Sequence, residues 1–329
     1  MIDVVIVNWN SGELLGRCLT SVDRNHHGTI KRVVVVDNGS DDSSAVDALT
    51  FKSHSFQIHS IRNTTNEGFA AACNKGAKAC SSELILFLNP DCEMFPETLE
   101  SMLLEMASLP VAQYGVFGIR LIGADGTTAR GCNRQPVAAD YWVKLLGIDR
   151  LSAGRIRSHI MTEWPHTESR DVEHVIGAFY LVVREVFEKL SGFDERFFVY
   201  LEDLDLSRRV LNAGYRIRYL ADTTAFHQGG GSSRNIKAER LFYSLRSRVL
   251  FGFKHFSPMT SWALVAGTMV VEPLVRLTFA IARGRLKELK QTIHGFALLW
   301  RDSPNFLPFR GRKRMVAKNI GDTGHPRQM

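Results

Sequence analysis

The chain has 329 residues, a length that accommodates one large catalytic domain with an appendage. Hydrophobic residues make up 45% of it and charged residues 23%, proportions of an ordinary globular protein that argue against intrinsic disorder. The net charge of +7 is concentrated at the C-terminal end, because residues 276–329 contain 12 Lys and Arg but 3 Asp and Glu, a balance of +9.

The first half of the chain alternates short apolar runs with helical patterns. The continuous apolar run at residues 4–7 is typical of a strand that is covered on both faces. Further strands are predicted at 33–36, 56–61 and 84–88, and helices at 14–22, from about 43, at 68–80 and at 96–107. This order predicts a mostly parallel sheet with helices on both faces.

The second half of the chain is less regular up to residue 173. The predicted elements are a strand at 116–121, a turn at 123–126, an unbroken strand from His174 to Val183, a helix near 185–190, a helix from Asp203 to Asn212 and a strand at 215–220. Gly214 is expected to end the second of these helices. The segment between residues 127 and 171 gives no clear pattern.

The C-terminal region is predicted to be helical from about Ala238. Its most apolar stretch, Trp262 to Val271, is followed by Glu272, Pro273 and Arg276, which interrupt the apolar run. The stretch is therefore short for a membrane span, and an amphipathic helix at the membrane interface is expected. The basic tail favours an anionic partner, and its interleaved apolar residues favour lipid over nucleic acid.

Two features favour a cytoplasmic location. The five cysteines form no CxxC pair, and no basic region or small-residue cleavage site precedes the first apolar run. Together with the basic tail, they predict a peripheral protein at the inner face of the cell membrane.

Polar residues follow four of the predicted strands at the points where the strands end. These residues are Asn8-Trp9-Asn10, Asp37-Asn38-Gly39-Ser40, Arg62-Asn63 with Asn66-Glu67-Gly68, and Asn89-Pro90-Asp91. Ligands of open parallel sheets bind outside the carboxyl ends of the strands. The sequence therefore predicts a polar ligand site at this edge, suited to a base, a ribose and phosphates.

Asp91 is the candidate metal ligand. Neither a GxGxxG motif after the first strand nor a GxxxxGK[ST] motif is present, so a bound diphosphate needs another source of positive charge. A divalent cation is the simplest source, and Mg²⁺ or Mn²⁺ prefers carboxylate oxygen. The alternative is that Asn-Pro-Asp forms only a turn.

Three carboxylates, Glu202, Asp203 and Asp205, lie within four positions at the start of a predicted helix. Acidic residues in a first helical turn are favoured by the helix dipole, so capping is one interpretation. Their mutual repulsion exceeds what one cap requires, and an acceptor hydroxyl needs a carboxylate base for attack at an anomeric carbon. We predict Asp203 as the base, with Glu202 beside it, and a structural role for Asp205.

His227 precedes a glycine run and the hydroxyls of Ser232 and Ser233. A lone histidine is often structural, but a neutral imidazole here would complete the Asp91 metal site. Arg234 would meet the charge of the leaving group.

These residues together resemble the family-2, GT-A-fold glycosyltransferases of the bacterial rhamnosyltransferase-like branch. The matching elements over about residues 1–235 are Val-Asn-Trp-Asn at 7–10, Val-Asp-Asn-Gly-Ser at 36–40, Asn66-x-Gly-Phe-Ala, Asn74, Leu-Asn-Pro-Asp at 88–91, Gly-Ala-Phe at 177–179, Gly-Phe-Asp-Glu-x-Phe-Phe at 192–198, Glu-Asp-x-Asp at 202–205 and His227. The resemblance implies a Rossmann-like GT-A domain at 1–237, with a nucleotide-binding half at 1–110 and an acceptor and catalytic half at 111–237. A helical, basic, membrane-associating region is expected at 238–329.

The resemblance also implies a role for each matching residue. Asp37, with Asn8 and Asn10, would hold the base and ribose, and Asn66, Gly68 and Asn89 would belong to the same donor site. Asp91 and His227 would hold the metal, Asp203 would act as base, and Gly177 and Ala178 would line the acceptor side. Asn89 departs from the family, because many relatives carry a second Asp at this position.

The implied reaction is inverting transfer of a sugar from a nucleotide-diphosphate donor to a saccharide or polyprenyl-linked acceptor. L-rhamnose from dTDP-L-rhamnose is favoured, with UDP-hexoses as the alternative. A sugar nucleotidyltransferase would need a glycine-rich basic loop near Asn8, which is absent. A non-catalytic nucleotide-sugar-binding subunit would carry a disabled base or metal position.

Overall fold

The structure, a computed structural model, describes residues 1–25, 28–53, 55–148, 159–229, 236–284 and 286–308. Its strands are β1 (Ile2–Asn8), β2 (Ile30–Asp37), β3 (Gln57–Arg62), β4 (Leu84–Leu88), β5 (Cys92–Met94), β6 (Tyr114–Ile122), β7 (Cys132–Asn133), β8 (Arg170–Val172), β9 (His174–Val175), β10 (Phe179–Val183) and β11 (Arg216–His227). The helices are α1 (Leu14–Arg24), α2 (Ser44–Thr50), α3 (Phe69–Ala77), α4 (Thr98–Ala107), α5 (Ala138–Leu145), α6 (Arg184–Lys189), α7 (Glu202–Asn212), α8 (Lys237–His255), α9 (Pro258–Ala266), α10 (Glu272–Ala282) and α11 (Leu286–Phe306).

Among the described residues, nine strands form one mixed sheet in the order β3-β2-β1-β4-β10-β6-β11-β5, with β8 against β11. The first four strands of this order are parallel, so their carboxyl ends share one edge. β10 is antiparallel to both β4 and β6, and β11 is parallel to β6. The predicted mostly parallel α/β sheet is confirmed.

Two apolar layers cover the faces of this sheet. α1, α2 and α4 bury apolar side chains such as Leu19 and Met102 against one face. α3, α6 and α7 bury residues such as Phe187 and Leu206 against the other. The strands between them are buried on both sides, which explains why the run at residues 4–7 is apolar without alternation.

The C-terminal helices form a smaller core of their own and pack on the sheet domain. Phe242 and Leu245 of α8 meet Phe296 and Leu299 of α11 in this smaller core. A second cluster joins Tyr141, Phe197 and Leu204 to Phe251 of α8 and Leu264 of α9. The predicted C-terminal helical extension is therefore present and is attached to the second half of the sheet domain.

The prediction of one strand from His174 to Val183 is wrong in one respect. In the structure this segment is broken at residues 176–178 into β9 and β10. The backbone N–H of Gly177 donates to a carboxylate oxygen of Asp203 at 2.7 Å. This bond is made to a side chain rather than to a neighbouring strand. The break therefore lies where the chain meets the predicted base.

The expectation that Glu272, Pro273 and Arg276 end the C-terminal apolar stretch is also wrong. α9, a π turn at Gly267–Val271 and α10 form one run, Pro258–Ala282, of 25 residues, long and apolar enough to cross a membrane by length and composition. Pro273 lacks an N–H for the carbonyl of Met269, four residues earlier. That carbonyl instead accepts the indole N–H of Trp300 at 3.1 Å, so the helix continues.

Candidate active site

The carboxyl ends of β1, β2 and β3 lie side by side, and Asn8 pairs in register with Asp37. Asn8 is fully buried, and its amide nitrogen lies 2.8 Å from Asp37 Oδ1, 3.1 Å from Ser40 Oγ and 2.9 Å from Ser44 Oγ. Its oxygen accepts from Ser11. All of these contacts are internal, so Asn8 orients Asp37 and would support the donor site through that residue.

Asp37 has a buried carboxylate oxygen, Oδ2, without a hydrogen-bond partner. Asn8 donates to the other oxygen, and Nε of Arg62 lies 3.6 Å from Oδ2, beyond hydrogen-bond distance. Buried acceptors of this kind are normally satisfied by a ligand or by water. A ribose hydroxyl or a base N–H is the type of donor that suits this atom.

The loops beside Asp37 are held by their own amide side chains. Asn38 is buried and donates to Asn66 Oδ1 at 2.9 Å. Asn66 Oδ1 also accepts the backbone N–H of Gly68 at 2.9 Å. Asn10 has a left-handed φ of 47° and accepts a backbone N–H of the loop after β2 at 2.8 Å. Asn10, Asn66 and Gly68 thus shape the walls around Asp37.

The structure brings Asp91 and His227 together, although 136 positions separate them in the sequence. Oδ1 of Asp91 lies 3.4 Å from Nε2 of His227, and both side chains are largely buried. The pairing of β5 with β11 sets Cys92 opposite His227, and the N–H of Gln228 donates to the Asp91 carbonyl at 3.0 Å. A carboxylate oxygen and an imidazole nitrogen at this distance suit a shared divalent cation.

The thiol of Cys92 completes a cluster in which one ligand atom each of Asp91, Cys92 and His227 lie within 4.8 Å of one another. Burial, with the charge of Asp91 as the next cause, raises the pKa of Cys92 well above its ordinary value. A protonated thiol that donates to the Ala178 carbonyl at 3.3 Å is a poor ligand for a hard cation. Cys92 therefore fills space behind the pair, a role that the sequence analysis did not assign.

Asp203 is held at the start of α7 by backbone donors. Its Oδ2 accepts from Gly177 at 2.7 Å, and its Oδ1 accepts from the N–H of Leu204 at 2.8 Å. His174 Nε2 lies 3.8 Å from Oδ2, while its Nδ1 contacts Ser207 Oγ at 2.9 Å. Burial lowers the pKa of His174, and the charge of Asp203 only partly offsets this, so His174 is neutral at neutral pH. Asp203 therefore has no cationic partner among these contacts.

Glu202 is unsuited to the catalytic role predicted for it. The side chain is 5% exposed, and its Oε2 has no hydrogen-bond partner. Burial raises the pKa of Glu202 well above its ordinary value, and the adjacent charge of Asp203 adds to the rise. A buried, protonated carboxylic acid does not accept a proton from a hydroxyl.

Asp205 links α7 to α8. It is fully buried and accepts from Arg209 Nε at 2.8 Å, Lys254 Nζ at 2.7 Å and His255 Nε2 at 2.8 Å. Burial alone would raise its pKa, but the hydrogen bond from His255 and the charges of Arg209 and Lys254 outweigh burial and lower it. This arrangement agrees with the predicted structural role.

The residues just before α7 have strained backbones. Tyr200 and Leu201 have φ angles of 69° and 66°, the left-handed region that non-glycine residues rarely adopt. Ser247 of α8 donates to the Val199 carbonyl at 2.8 Å, and Tyr243 of α8 stacks on Phe198 with ring centres 4.5 Å apart. Strain of this kind persists where surrounding contacts fix it, and it turns the chain so that Asp203 faces Gly177.

Gly177 and Ala178 connect the predicted base to the Asp91 loop. Gly177 donates to Asp203, and the carbonyl of Ala178 accepts the N–H of Asn89 at 2.9 Å. β4 pairs with both β1 and β10, so Asn89 also lies beside the end of β1. The base, the Asp91–His227 pair and Asp37 therefore follow adjacent strand ends along one edge of the sheet. Arg234, the remaining predicted donor residue, lies outside the described residues.

Comparisons with known proteins identify the family. The sequence model of glycosyl transferase family 2 matches residues 3–190. The O-antigen biosynthesis protein RfbC of Myxococcus xanthus is 33% identical over 168 residues, which are 50% of this chain and 12% of that protein. The N-acetylglucosaminyl-diphospho-decaprenol L-rhamnosyltransferase of Mycobacterium tuberculosis is 23% identical over 319 residues, 88% of this chain and 97% of that protein. The rhamnosyltransferase WbbL of Escherichia coli is 26% identical over 175 residues, 52% of this chain and 61% of that protein.

Two solved structures share the fold. GalNAc-T7 with UDP, GalNAc and Mn²⁺ has a TM-score of 0.54 at 16% identity, covering 77% of this chain and 47% of that chain. The mannosyltransferase PcManGT of Pyrobaculum calidifontis, in complex with GDP-Man and Mn²⁺, has a TM-score of 0.53 at 16% identity. The match covers 92% of this chain and 86% of that chain. The predicted GT-A fold class and the predicted family are confirmed.

Proposed function

Because the chain belongs to glycosyl transferase family 2, we propose that it transfers a sugar from a nucleotide-diphosphate donor to an acceptor hydroxyl with inversion at the anomeric carbon. One observation carries the proposal. Gly177 and Ala178 join the carboxylate of Asp203 to the loop of Asp91, whose side chain meets His227. A base and a site for diphosphate charge thus lie on either side of two residues with small side chains, where a sugar would fit.

Asp91 and His227 would hold a divalent cation, Mg²⁺ or Mn²⁺. Their ligand atoms are 3.4 Å apart, and GalNAc-T7 and PcManGT were solved with Mn²⁺, which supports a metal in this fold. A bound cation supplies Lewis-acid stabilisation of the charge on the leaving diphosphate, worth several kcal/mol. Asn89 stands where many relatives carry a further Asp, so His227 takes a larger share of the binding.

Asp203 takes the proton of the acceptor hydroxyl as that oxygen attacks the anomeric carbon. The N–H of Gly177 holds the carboxylate, and the nearby His174 is neutral. General-base catalysis of this kind contributes about 10²–10⁴-fold to the rate. Asp37 binds the ribose or the base through its unpartnered Oδ2. Since Asp203 performs no covalent step, a single displacement gives the inverted product.

The proposed donor is dTDP-L-rhamnose. Its support is the activity for which two relatives are named, the mycobacterial L-rhamnosyltransferase and the rhamnosyltransferase WbbL. A UDP-hexose is the second candidate, since GalNAc-T7, which shares the fold, was solved with UDP and GalNAc. A non-catalytic subunit is disfavoured because Asp91, Asp203 and His227 are all in place.

The proposed acceptor is a saccharide or a polyprenyl-linked saccharide of cell-surface polysaccharide synthesis, reached at the inner face of the membrane. The mycobacterial relative is named for a diphospho-decaprenol acceptor. Pro258–Ala282 exposes apolar side chains to solvent, including Met259, Val270, Leu274 and Ile281. These side chains and the basic tail of region 238–329 would dock on anionic lipid.

Nucleotide release from a panel of donors tests the proposal. dTDP-L-rhamnose, UDP-glucose, UDP-GlcNAc and GDP-mannose are incubated with the protein in Mn²⁺ or in EDTA, with a polyprenyl-diphosphate saccharide as acceptor. We expect one donor to be consumed in Mn²⁺ only, a product of inverted configuration by NMR, and loss of turnover in Asp91→Ala. Asp125→Ala, in an exposed turn, is the matched control. A product of retained configuration, or no consumption of any donor by the wild-type protein, would overturn the proposal.

A further inference from the structure

Behind Asp203 lies a row of three buried polar side chains from three separate elements, Tyr180 of β10, Ser207 of α7 and His174 of β9. The hydroxyl of Tyr180 lies 3.2 Å from Ser207 Oγ, and Ser207 Oγ lies 2.9 Å from Nδ1 of His174. The other ring nitrogen of His174, Nε2, lies 3.8 Å from Oδ2 of Asp203. The row therefore leads from the interior of the sheet domain to the predicted base.

Burial fixes the protonation state of the two titratable members of this row. It raises the pKa of the Tyr180 phenol above its ordinary value, so the phenol keeps its proton at neutral pH. It lowers the pKa of His174, so the imidazole carries one proton, either on Nδ1 or on Nε2. With the hydroxyl of Ser207, the row thus contains three donated protons, and each needs an acceptor.

Counting these protons decides which nitrogen of His174 is protonated. In the part of the chain that the structure describes, the three side chains share two hydrogen bonds, from Tyr180 to Ser207 and from Ser207 to His174. If Nδ1 carried the proton, it would donate to Ser207, and the other hydrogen bond could use just one of the two hydroxyl protons. One buried O–H would then lack an acceptor, which is unfavourable.

A proton on Nε2 satisfies the whole row. Tyr180 then donates to Ser207, Ser207 donates to the bare Nδ1, and the N–H of Nε2 lies nearest to a carboxylate oxygen of Asp203. The alternative would set the lone pair of Nε2 against that negative oxygen. A distance of 3.8 Å is longer than a hydrogen bond, but the attraction between an N–H group and a carboxylate acts over this distance in a buried site.

The two oxygens of Asp203 have different surroundings. Oδ2 accepts from Gly177 at 2.7 Å, and its second lone pair is available to the N–H of His174. Oδ1 accepts from Leu204 at 2.8 Å, and no second donor meets it among these contacts. The side chain of Asp203 is 18% exposed and that of His174 is 3% exposed. His174 is thus covered, so any effect that it has on an acceptor sugar passes through Asp203.

We propose that Tyr180 and Ser207 hold His174 in the tautomer that carries its proton on Nε2. This N–H and the N–H of Gly177 together fix Oδ2 of Asp203, which makes His174 a positioning residue. The acceptor hydroxyl then gives its proton to Oδ1, while its oxygen bonds to the anomeric carbon and the diphosphate leaves. The inference rests on the proposed function, since it names what orients the base of that reaction.

NMR of the wild-type protein with ¹⁵N-labelled histidine tests the tautomer directly. The signals of His174 are assigned by their absence from His174→Gln. We expect a proton bonded to Nε2 and none bonded to Nδ1 at neutral pH. A proton on Nδ1 would overturn the proposal, and this result does not depend on a variant that folds.

Removing the hydroxyl of Ser207 tests whether the row sets the tautomer. In Ser207→Ala nothing donates to Nδ1, so we expect the proton to be shared between the two nitrogens. Ser261→Ala is the matched control, because Ser261 is also buried in a helix but donates to the Gly252 carbonyl at 2.9 Å. The control should leave the proton of His174 on Nε2. A proton that stays on Nε2 in Ser207→Ala would remove Ser207 and Tyr180 from the proposal.

Replacing His174 by Gln and by Asn separates the N–H group from the space that the ring fills. A Gln side chain carries its amide nitrogen to about the position of Nε2, whereas that of Asn reaches only to Nδ1. We expect His174→Asn to lose at least about tenfold in kcat, with donor KM within about twofold of the wild type, and His174→Gln to restore most of that loss. Loss of packing alone would lower Tm in both variants without this difference in kcat. Equal kcat in the two variants would overturn the role of His174.

The outcomes separate this inference from the proposed function. If the wild type turns over a donor but carries the His174 proton on Nδ1, the assignment of His174 fails alone. If the wild type consumes no donor in the panel above, glycosyl transfer fails. NMR would then still show whether Tyr180 and Ser207 set the tautomer of His174.

Discussion

Replacing Asp203 and Asp205 separately by Asn distinguishes a catalytic carboxylate from a structural one only two positions away. In Asp203→Asn the amide oxygen can still accept from Gly177, whereas the amide nitrogen cannot accept the N–H of Leu204, so one of the two backbone hydrogen bonds is kept. What is lost is the ability to take a proton. We expect kcat to fall by about 10²–10⁴-fold, equivalent to about 3–5 kcal/mol of barrier, with donor KM nearly unchanged.

The same substitution at Asp205 should change stability instead. This carboxylate is fully buried between Arg209, Lys254 and His255, at 2.7–2.8 Å from each. Breaking a buried ion pair on one side costs about 3–5 kcal/mol, because the cations are left uncompensated. With about 2.1 cal/mol/K of unfolding entropy per residue over 329 residues, this corresponds to a fall in Tm of roughly 4–7 °C.

Differential scanning calorimetry and steady-state kinetics on the two variants provide the comparison. Asp203→Asn should melt within about 2 °C of the wild type, because it loses only the hydrogen bond from Leu204 and the neighbouring His174 is neutral. Asp205→Asn should retain its turnover well below its Tm. The reasoning is refuted if Asp203→Asn keeps more than a tenth of the wild-type kcat, or if Asp205→Asn melts with the wild type.

Three further predictions concern Gly68, Asp37 and His159. Gly68→Ala should lower the free energy of unfolding in urea by more than about 2 kcal/mol, because φ is +92° and a Cβ would lie 2.6 Å from the Phe198 carbonyl oxygen. The control Gly126→Ala has a φ of +76° but open space around its Cβ, and it should cost only about 1 kcal/mol. Asp37→Ala should raise donor KM about 10–100-fold in initial-rate kinetics, because the donor loses a hydrogen bond to a charged group. An unchanged KM would remove Asp37 from the donor site. Burial lowers the pKa of His159 to about 4 in the folded protein, below the ordinary 6.5. The free energy of unfolding should therefore fall by up to about 3 kcal/mol as the pH drops from 6.5 to 4, because the unfolded chain binds the proton first. Urea unfolding of His159→Gln at about pH 7 and about pH 5 should lack the share of this loss that comes from His159.

The sheet was predictable where its signal is local. The runs at residues 4–7, 33–36 and 84–88 are apolar because these strands are buried on both faces, and the structure has all three. The break before β10 was not predictable, since it depends on a bond from Gly177 to a side chain 26 positions away. The continuity of Pro258–Ala282 was missed for a similar reason, because the compensating donor for Met269 is Trp300.

The candidate site, too, was predictable where the signal is local and not where it depends on long-range packing. Polar residues at strand ends were predicted from position alone, because parallel strands deliver their carboxyl ends to one edge. The individual contacts of Asn8 and Glu202 depend on burial, which arises from packing with distant residues, so the sequence alone could not supply them.

The C-terminal helices contribute to the active site although they lie beyond the residues matched by the family model. That match ends at residue 190, whereas Asp203 begins a helix whose preceding turn is strained at Tyr200 and Leu201. Strain of about 1–3 kcal/mol per residue must be balanced by nearby contacts. α8 supplies them through Ser247 and Tyr243, and through Lys254 and His255, which contact Asp205. α8 therefore helps to hold the turn that positions Asp203, although it lies outside the residues matched by the family model.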